Sequence, residues 1–263
     1  MISEWKGKWA LVTGASAGIG KALAKELALG GAHLVLTARR KDRLEELAQE
    51  LGDKHKIRAE MIAADLTKAS APEEIFQFTH DRGLEISLLV NNAGFGQYGE
   101  FPAIESERLL KMVQVNCSAV VHLTRLYLPG MVARRSGDVL IVASTASFQA
   151  VPYISTYAAT KAFDLLLAEG LAEEMKPHGV RVCALCPGTT TSEFHELAGH
   201  PTHSKGREQS AETVARNGLK ALAEGKSYVI SGFGNYLGAH LERLVPRRFV
   251  TQIAAKLFRP DDQ

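Results

Sequence analysis

The stretch WALVTGASAGIG, residues 9–20, joins a short apolar run to a glycine-rich turn that opens a helical pattern. The apolar run lacks polar alternation, which predicts a strand buried on both faces. Glycines in the turn let the backbone bend sharply and approach a ligand closely. The next helix would present unpaired N–H groups and its positive dipole end to a pyrophosphate. We therefore predict a phosphate-binding unit, with a merely tight turn as the alternative. The candidate contacts in this turn are Gly14, Ser16, Gly18, Ile19 and Gly20.

Outward from this stretch, apolar runs and amphipathic helical patterns alternate along the chain. The predicted strands cover residues 9–13, 33–38, 57–64, 88–94, 138–144, 180–186 and 227–232. The predicted helices cover residues 19–29, 43–51, 106–132 (long enough for two) and 156–176, with another after Ser70. Such alternation without a linker is typical of a parallel sheet with helices on both faces. Since crossovers between parallel strands are right-handed, we predict a single Rossmann-like, doubly wound α/β domain over residues 1–263.

Two of the predicted helix starts carry capping-box patterns. Asp42 precedes Glu45 by three residues, and Ser70 precedes Glu73 by the same spacing. Reciprocal hydrogen bonds between such a pair and the backbone would satisfy N–H groups of the first turn. We therefore predict helices that begin just after Asp42 and Ser70, the second with Pro72 in its first turn.

Length and composition limit the classes of protein to consider. The 263 residues are 46% hydrophobic and 23% charged, with a formal net charge of +2, which is ordinary for a globular protein. Because the net charge is small, the protein has no strong positive electrostatic field to attract the phosphates of a nucleic acid, so no nucleic-acid partner is expected. No apolar stretch reaches the length of a membrane span, and the first residues do not form a signal peptide. An odd, low cysteine count favours reduced thiols, so we expect a cytoplasmic protein.

The residues after the second predicted strand indicate which dinucleotide would bind. An acid at this strand end would hold the two ribose hydroxyls of NAD, but the chain has Arg39, Arg40 and Lys41 here. An arginine instead suits a 2′-phosphate, through planar charge-assisted hydrogen bonds. We therefore predict NADP, held by Arg39, with a solvated basic helix start as the alternative. Asp65 ends the third predicted strand, where it could accept a hydrogen bond from the adenine amino group or cap a helix.

Four motifs in order give the chain a resemblance to the short-chain dehydrogenase/reductase family in its classical form. Three of them are TGASAGIG at 13–20, NNAG at 91–94 and PGTTT at 187–191, and the likeness covers roughly residues 7–232. The fourth matches the family's catalytic tetrad in order and approximate spacing. Its members are Asn116, Ser144, Tyr157 and Lys161. The resemblance implies a nicotinamide-dependent oxidoreductase.

The spacing of Tyr157 and Lys161 suits acid–base chemistry at a carbonyl group. Four residues apart on a helix, they share one face. An ammonium about 5 Å from a phenolate contributes roughly 3 kcal/mol at an effective dielectric near 20, which would lower the pKa of Tyr157 by roughly 2 units. The resemblance then implies that Tyr157 exchanges a proton with the carbonyl oxygen while Ser144 polarises it. It assigns Asn116 to a water beside Lys161.

Further cofactor contacts are implied by the resemblance. Lys161 would hold the nicotinamide ribose as well as act on Tyr157. Thr191 could bind the carboxamide or the diphosphate, with Thr189 and Thr190 as competitors. The remaining candidates for cofactor contact are Asn92, Ala93, Gly94, Pro187 and Gly188.

The polar segment 189–210 is interpreted as the loop that covers the substrate. It contains His195, His200 and His203, which have no acidic partners at fixed spacing. We therefore predict no metal site.

The tail, residues 233–260, has five basic residues against one acid and enough apolar residues for two short helices. Three interpretations stay open: packing over the substrate pocket, a subunit contact in a dimer or tetramer, or weak attachment to an anionic membrane surface. In the first, tail side chains would line an apolar cleft with Phe95 and Phe148 near its mouth. These tail residues are Tyr236, Leu237, Leu241, Leu244, Val245, Phe249 and Ile253. We therefore predict a hydrophobic ketone, a steroid-like ketone or a 3-oxoacyl substrate.

A protein that only binds the dinucleotide is the alternative to an enzyme. One fold serves many functions, so a sensing module that has lost catalysis would share this architecture. The complete tetrad argues against it, because decayed enzymes commonly lose one of these residues.

Overall fold

Seven parallel strands form one sheet in the order β3-β2-β1-β4-β5-β6-β7. The computed structural model describes residues 2–191, 193–194, 198–199 and 208–260. The strands are β1 (Trp9–Thr13), β2 (His33–Ala38), β3 (Ala59–Ala63), β4 (Ile86–Asn91), β5 (Gly137–Val142), β6 (Val180–Cys186) and β7 (Tyr228–Ile230). The bounds of β1, β2 and β6 are those predicted, and the others differ by a few residues.

Nine helices are described between and after the strands. They are α1 (Gly18–Leu29), α2 (Lys41–His55), α3 (Ala71–Asp81), α4 (Ser106–Val113), α5 (Ala119–Arg134), α6 (Ser155–Met175), α7 (Ala211–Ala223), α8 (Phe233–Leu241) and α9 (Arg247–Phe258). A π-helical turn, Gln114–Ser118, joins α4 to α5, so the long pattern at 106–132 does contain two helices. Within the described ranges, no helix is both long and apolar enough to cross a lipid bilayer.

Helices cover both faces of the sheet, which gives the chain two apolar cores. Alternate side chains of β1 enter opposite cores, Val12 with α1, α2 and α7, and Leu11 with α3, α5 and α6. Strands buried on both faces explain why their sequences are continuously apolar. The chain runs outward from β1 to β3 on one side and from β4 to β7 on the other. Ligands of such sheets bind where this order reverses, at the carboxyl ends of β1 and β4.

Both predicted capping boxes are absent. Helix α2 begins at Lys41, after the N-cap Arg40, so Asp42 lies inside the first turn, where its charge still favours the helix dipole. Ser70 is the N-cap of α3 and Pro72 is in the first turn, as predicted, but the Ser70 side chain caps no backbone N–H. Its hydroxyl donates to Glu74 Oε1 at 2.8 Å instead. At the start of α3, the Ser70 hydroxyl therefore bonds a side chain one turn along the helix and not a backbone N–H group.

Candidate active site

A cleft of about 770 Å³ opens at the carboxyl ends of the central strands. Its lining includes the glycine turn, the ends of β2, β3 and β4, and the start of α6. Two of the predicted site residues are not part of this lining. Asn116 is fully buried beside it, and Thr191 lines a neighbouring depression. The structure therefore brings the other fifteen predicted residues to one cleft.

The glycine turn interlocks with the motif after β4. Gly14 has a φ of +66°, and a Cβ there would lie 2.8 Å from Asn92 Nδ2 and 2.9 Å from Ala93 Cα. A Cβ on Gly20 would collide with the Gly14 carbonyl oxygen. Asn92 Nδ2 donates to the Thr13 carbonyl at 2.8 Å, and Thr13 Oγ1 accepts from the backbone N–H groups of Asn92 and Ala93, both at 2.9 Å. Only glycine fits where these two motifs meet.

The residues at this end of the cleft fit a dinucleotide. The N-cap of α1, Ala17, offers no side-chain hydrogen bond, so the helix N-terminus is left for a ligand, and such an end attracts phosphate. The hydroxyl of Thr37 is buried without a hydrogen-bond partner and lies at the cleft. Arg40 is engaged, since it donates to Ser16 Oγ and pairs with Glu193 at 2.7 Å. Arg39 reaches the cleft with no hydrogen bond or ion pair inside the described ranges.

Asp65 turns the chain after β3 and does not cap a helix. Its Oδ1 accepts a hydrogen bond from the Thr67 backbone N–H at 3.1 Å, whereas the N-cap position of the next helix, α3, is Ser70. The capping alternative for Asp65 is therefore wrong. Its carboxylate lies in the cleft lining, where the predicted contact with adenine would be made.

Tyr157 and Lys161 lie on consecutive turns at the start of α6. Lys161 is only 5% exposed, and its Nζ donates to the Val142 carbonyl at 2.7 Å and to Asp164 Oδ2 at 2.9 Å. Ser144 caps the short turn after β5, because its Oγ accepts from the Ala146 N–H at 3.1 Å. These contacts fix the end of β5 against α6, so the three catalytic candidates share one wall of the cleft.

Asn116 lies in the π-helical turn between α4 and α5. Its Nδ2 donates to the Phe95 carbonyl and to Thr160 Oγ1, both at 3.0 Å, and its Oδ1 accepts from the Phe95 N–H at 3.1 Å. Single π turns within helices are frequent at functional sites. The side chain thus holds the segment after β4 against α6, a role that its sequence context did not signal. Its predicted contact with a water beside Lys161 stays a prediction.

The predicted lowering of the Tyr157 pKa is wrong for this site. Burial raises its pKa, and this outweighs the Lys161 charge and a hydrogen bond from Ser144, which both act to lower it. Burial alone would lower the pKa of Lys161, but the charges of Asp164 and Tyr157 raise it by more. The prediction considered the tyrosine and lysine alone. It missed Asp164, although an acid three residues after Lys161 on one helix was a visible signal.

The other end of the cleft is apolar. Phe95 and Phe194 line it, and the Phe194 ring centroid lies 5.2 Å from that of Tyr157. Further apolar lining residues are Val115, Ile154, Ala198, Leu257 and Phe258. Tyr98 Oη donates to the Phe258 carbonyl at 2.9 Å, which fastens the end of α9 over this part of the cleft.

The predicted contribution of the tail to the cleft is wrong in its residues. The seven apolar tail side chains expected there are exposed to solvent, and the tail contributes Leu257 and Phe258 instead. The reason is that α8 and α9 bury their small residues, Ala239 and Ala254, against the domain. Phe148 is also absent from the lining, and its ring packs 6.2 Å from that of Tyr228.

The ends of the 189–210 loop are held together by backbone hydrogen bonds. Thr191 N–H donates to the Gln209 carbonyl at 3.1 Å, and Gln209 N–H donates to the Thr189 carbonyl at 3.0 Å. Thr189 and Thr190 line the cleft, whereas the Thr191 hydroxyl donates to Glu208 at 3.2 Å. The geometry favours the two competitors over Thr191 for a cofactor contact.

The histidines of this loop, His195, His200 and His203, lie outside the described residues. Among the residues that the structure does describe, no three histidine, cysteine or acidic side chains gather as metal ligands.

A family profile described as short chain dehydrogenase matches residues 8–201. The chain belongs to the short-chain dehydrogenase family. A very-long-chain 3-oxoacyl-CoA reductase of Bos taurus is 35% identical over 226 residues, which are 84% of this chain and 70% of the relative. The family predicted from the four motifs and the doubly wound fold predicted from the alternation of strands and helices are therefore confirmed, and this dehydrogenase is an oxidoreductase of that family.

Solved structures resemble the dehydrogenase over almost its whole length. A short-chain dehydrogenase from Sphingobium yanoikuyae in complex with NADPH has a TM-score of 0.83 at 28% identity, covering 97% of this chain and 98% of that one. A structure described as concerning 7β-hydroxysteroid dehydrogenase stereoselectivity has a TM-score of 0.87 at 26% identity, covering 96% and 98%. Both similarities therefore include most of the tail.

Proposed function

We propose that this dehydrogenase uses NADPH to reduce the carbonyl group of a hydrophobic ketone or 3-oxoacyl compound. The observation that carries the proposal is the cleft itself, where Ser144, Tyr157 and Lys161 share a wall and Arg39 stands at the opposite end. An arginine that faces the cleft and pairs with none of the described residues suits the 2′-phosphate that distinguishes NADP from NAD. The NADPH in the Sphingobium structure supports the same choice.

The cofactor would lie along the carboxyl ends of the central strands. The glycine turn and the N-terminus of α1 would hold its pyrophosphate, because the first N–H groups of a helix have no partner within the helix and its positive dipole end attracts anions. Arg39 would bind the 2′-phosphate, and Asp65 would accept from the adenine amino group. Lys161 would hold the nicotinamide ribose. NADPH, when bound, supplies the hydride.

The chain supplies the proton and the orientation of the carbonyl group. Tyr157 donates its phenolic proton to the carbonyl oxygen, and Ser144 hydrogen-bonds the same oxygen and polarises it. The raised pKa of Tyr157 keeps it protonated near neutral pH, which is the state that an acid in carbonyl reduction needs. The charge on Lys161 then stabilises the phenolate that remains.

The apolar end of the cleft supports a hydrophobic substrate. Phe95, Phe194 and Phe258 surround the space beside Tyr157, and burial of apolar surface would dominate binding there. The very-long-chain 3-oxoacyl-CoA named for the Bos taurus relative and the hydroxysteroid named for the solved structure both carry a large apolar part, the acyl chain and the steroid rings. We propose the same class of substrate here.

The tail also supports contact with another surface. Only its last turn reaches the cleft, so its other exposed apolar residues fit a subunit contact in a homo-oligomer better than pocket packing. Weak attachment to an anionic membrane surface is the second candidate, because Arg247, Arg248 and Lys256 lie beside those residues. The three free cysteines favour a reducing compartment such as the cytoplasm.

The cofactor proposal is tested by comparing kcat/KM with NADPH and NADH on a panel of aldehydes, ketones, quinones and 3-oxoacyl thioesters. We expect a preference for NADPH of at least about tenfold, and Arg39→Ala should lose most of it, since one charge-assisted hydrogen-bonded contact is worth about 1.5–3 kcal/mol. Lys41→Ala is the matched control, because Lys41 pairs with Glu45 on the exposed side of α2.

Two outcomes would contradict the proposal in different ways. If the wild type prefers NADH, Arg39 does not select the cofactor, but the proposed reduction of a carbonyl group is unaffected. A protein that binds NADPH but leaves the whole panel unreacted is instead the sensing module without catalysis.

A further inference from the structure

One acidic residue of the 189–210 loop is bound at the cofactor end of the cleft. The Glu193 carboxylate accepts from Arg40 Nη1 through Oε2 and from Arg43 Nη1 through Oε1, both at 2.7 Å. Hydrogen bonds between opposite charges at this distance are of the short, strong kind. We call these two ion pairs the Glu193 bridge. The proposed chemistry does not use them.

The Glu193 bridge joins three segments of the chain. Arg40 is the N-cap of α2, and Arg43 lies in the first turn of that helix. Arg40 also donates to Ser16 Oγ in the glycine turn, from Nε at 3.3 Å and from Nη2 at 3.2 Å. Glu193 follows Thr191, whose backbone N–H is bonded to the other end of the loop. The loop is thus tied to the two segments proposed to hold the pyrophosphate and the 2′-phosphate.

The residue after Glu193 packs against the catalytic wall. The ring centroid of Phe194 lies 5.2 Å from that of Tyr157. Phe194 also packs on Gly96, where a Cβ would come within 2.9 Å of its Cζ. Because the Cα atoms of consecutive residues are only about 3.8 Å apart, the anchor at Glu193 restricts where Phe194 can lie. The Glu193 bridge therefore links the cofactor end of the cleft to its substrate end.

The Glu193 bridge should respond to salt. Hydrogen bonds from Arg40 and Arg43 hold the pKa of Glu193 below its usual value, so the carboxylate is ionised at neutral pH. The three side chains are 41%, 47% and 40% exposed, so dissolved ions screen their attraction. A single exposed ion pair contributes little, but several charges in a network contribute more. Two arginines on one carboxylate form such a network.

We propose that Glu193 is a positioning residue that slows release of the cofactor and holds Phe194 against Tyr157 as a wall of the substrate end. The proposal rests on the proposed function for the identity of the cofactor and the substrate. Glu193 and Phe194 both line the cleft, so a cofactor bound there should leave faster when this pair of residues is no longer tied down. An apolar substrate would at the same time lose a well-placed aromatic contact.

The first test measures dissociation of NADPH and needs no turnover. The protein is loaded with NADPH and mixed with excess NADP⁺, and the change in NADPH fluorescence gives the rate constant. In Glu193→Gln we expect a rate constant about fivefold higher at low salt, the scale of two exposed ion pairs. At about 1 M NaCl the wild type and the variant should converge, because salt screens exposed charges. A ratio that stays the same at high salt would mean that the side chain acts by its shape alone, which overturns the proposal.

Arg43 separates the Glu193 bridge from a direct contact with the cofactor. Its side chain lines the neighbouring depression and not the cleft. Arg43→Gln should nevertheless speed NADPH dissociation about twofold, and should add little to Glu193→Gln in the double variant. Glu45→Gln removes an exposed acid of α2 that pairs with Lys41 and should leave the rate unchanged. Unchanged dissociation in either Glu193→Gln or Arg43→Gln, or an equal effect of Glu45→Gln, contradicts the proposal.

Turnover of a large apolar ketone is the second measurement. In Glu193→Gln, KM should rise about threefold while kcat does not fall, because Phe194 is less well held but Tyr157 stays in place. Phe194→Ala should raise the same KM, and the double variant should resemble it. A wild-type KM in Glu193→Gln would refute the role at the substrate end.

Failure of the proposed function would leave a different trace. If no carbonyl compound is reduced, the proposed function fails, and the dissociation of NADPH still decides the role of Glu193. If the protein binds NADH in place of NADPH, the choice of cofactor is wrong, and the same variants are compared by the dissociation of NADH.

Discussion

The two ends of the cleft are built in different ways. At the cofactor end, the side chains of Thr13 and Asn92 join the end of β1 to the residues after β4 by hydrogen bonds to the backbone, and the contacts around the turn admit only glycine. At the substrate end, side chains from distant segments meet, among them Phe95, Phe194 and Phe258. The first end depends on local motifs at strand ends, whereas the second depends on how the tail packs.

This difference explains why sequence motifs predicted the residues of the cofactor end but not those of the substrate end. At the cofactor end, a strand end, a turn and a helix start follow one another in sequence. Their residue types therefore suffice to predict which backbone segment would contact a ligand. The tail is placed by long-range packing of small residues, and no local pattern shows which face of a helix will be buried. A substitution should therefore have its largest effect on activity where both ends of the cleft meet, at the wall that carries the catalytic candidates.

Tyr157→Phe tests the wall that the two ends share. The variant removes the proton donor but leaves the cofactor end intact, so kcat should fall at least about 100-fold while NADPH binding persists. Turnover with the best carbonyl compound and fluorescence titration of NADPH measure the two effects. Tyr236→Phe, an exposed tail tyrosine, is the matched control and should keep wild-type turnover. Full turnover in Tyr157→Phe would show that the acid lies elsewhere.

Gly20→Ala tests the rigidity of the cofactor end. The added Cβ would meet the Asn92 side chain and the Gly14 carbonyl oxygen. The Gly14 oxygen belongs to the backbone, so it can move only if the turn itself shifts. We expect the dissociation constant for NADPH to rise at least about tenfold, equivalent to roughly 1.4 kcal/mol.

Gly170→Ala is the control for that substitution. This glycine lies within α6 with open space around its missing Cβ, and alanine is the better helix former by about 0.5–1 kcal/mol. The variant should bind NADPH normally and melt at the same or a slightly higher temperature. Equal NADPH affinity in Gly20→Ala and wild type would show that the turn tolerates a side chain, contrary to the geometry described above.

The fold and the cofactor end could be predicted because their residues repeat simple physical patterns. Continuous apolar runs gave β1, β2 and β6 their observed bounds, and glycine spacing located the turn. The direction of the Tyr157 pKa shift could not be predicted, since burial is its largest cause and only the folded chain shows how far the phenol is buried. The capping pattern at Asp42 misled because α2 begins at Lys41, two residues before the predicted start.

The substrate end offers the smallest and most selective effect. Leu257 and Ile253 lie one turn apart on α9 and are similarly exposed, 69% and 58%, but only Leu257 belongs to the cleft lining. Truncation of Leu257 to alanine removes apolar contact worth roughly 1 kcal/mol, so KM for a long apolar ketone should rise about fivefold with kcat nearly unchanged. Ile253→Ala should leave KM as it is. A short ketone such as acetone, too small to reach α9, should not distinguish the variants. If both variants raise KM equally, the tail acts through its whole surface, as a subunit or membrane contact would, and not through its last turn at the cleft.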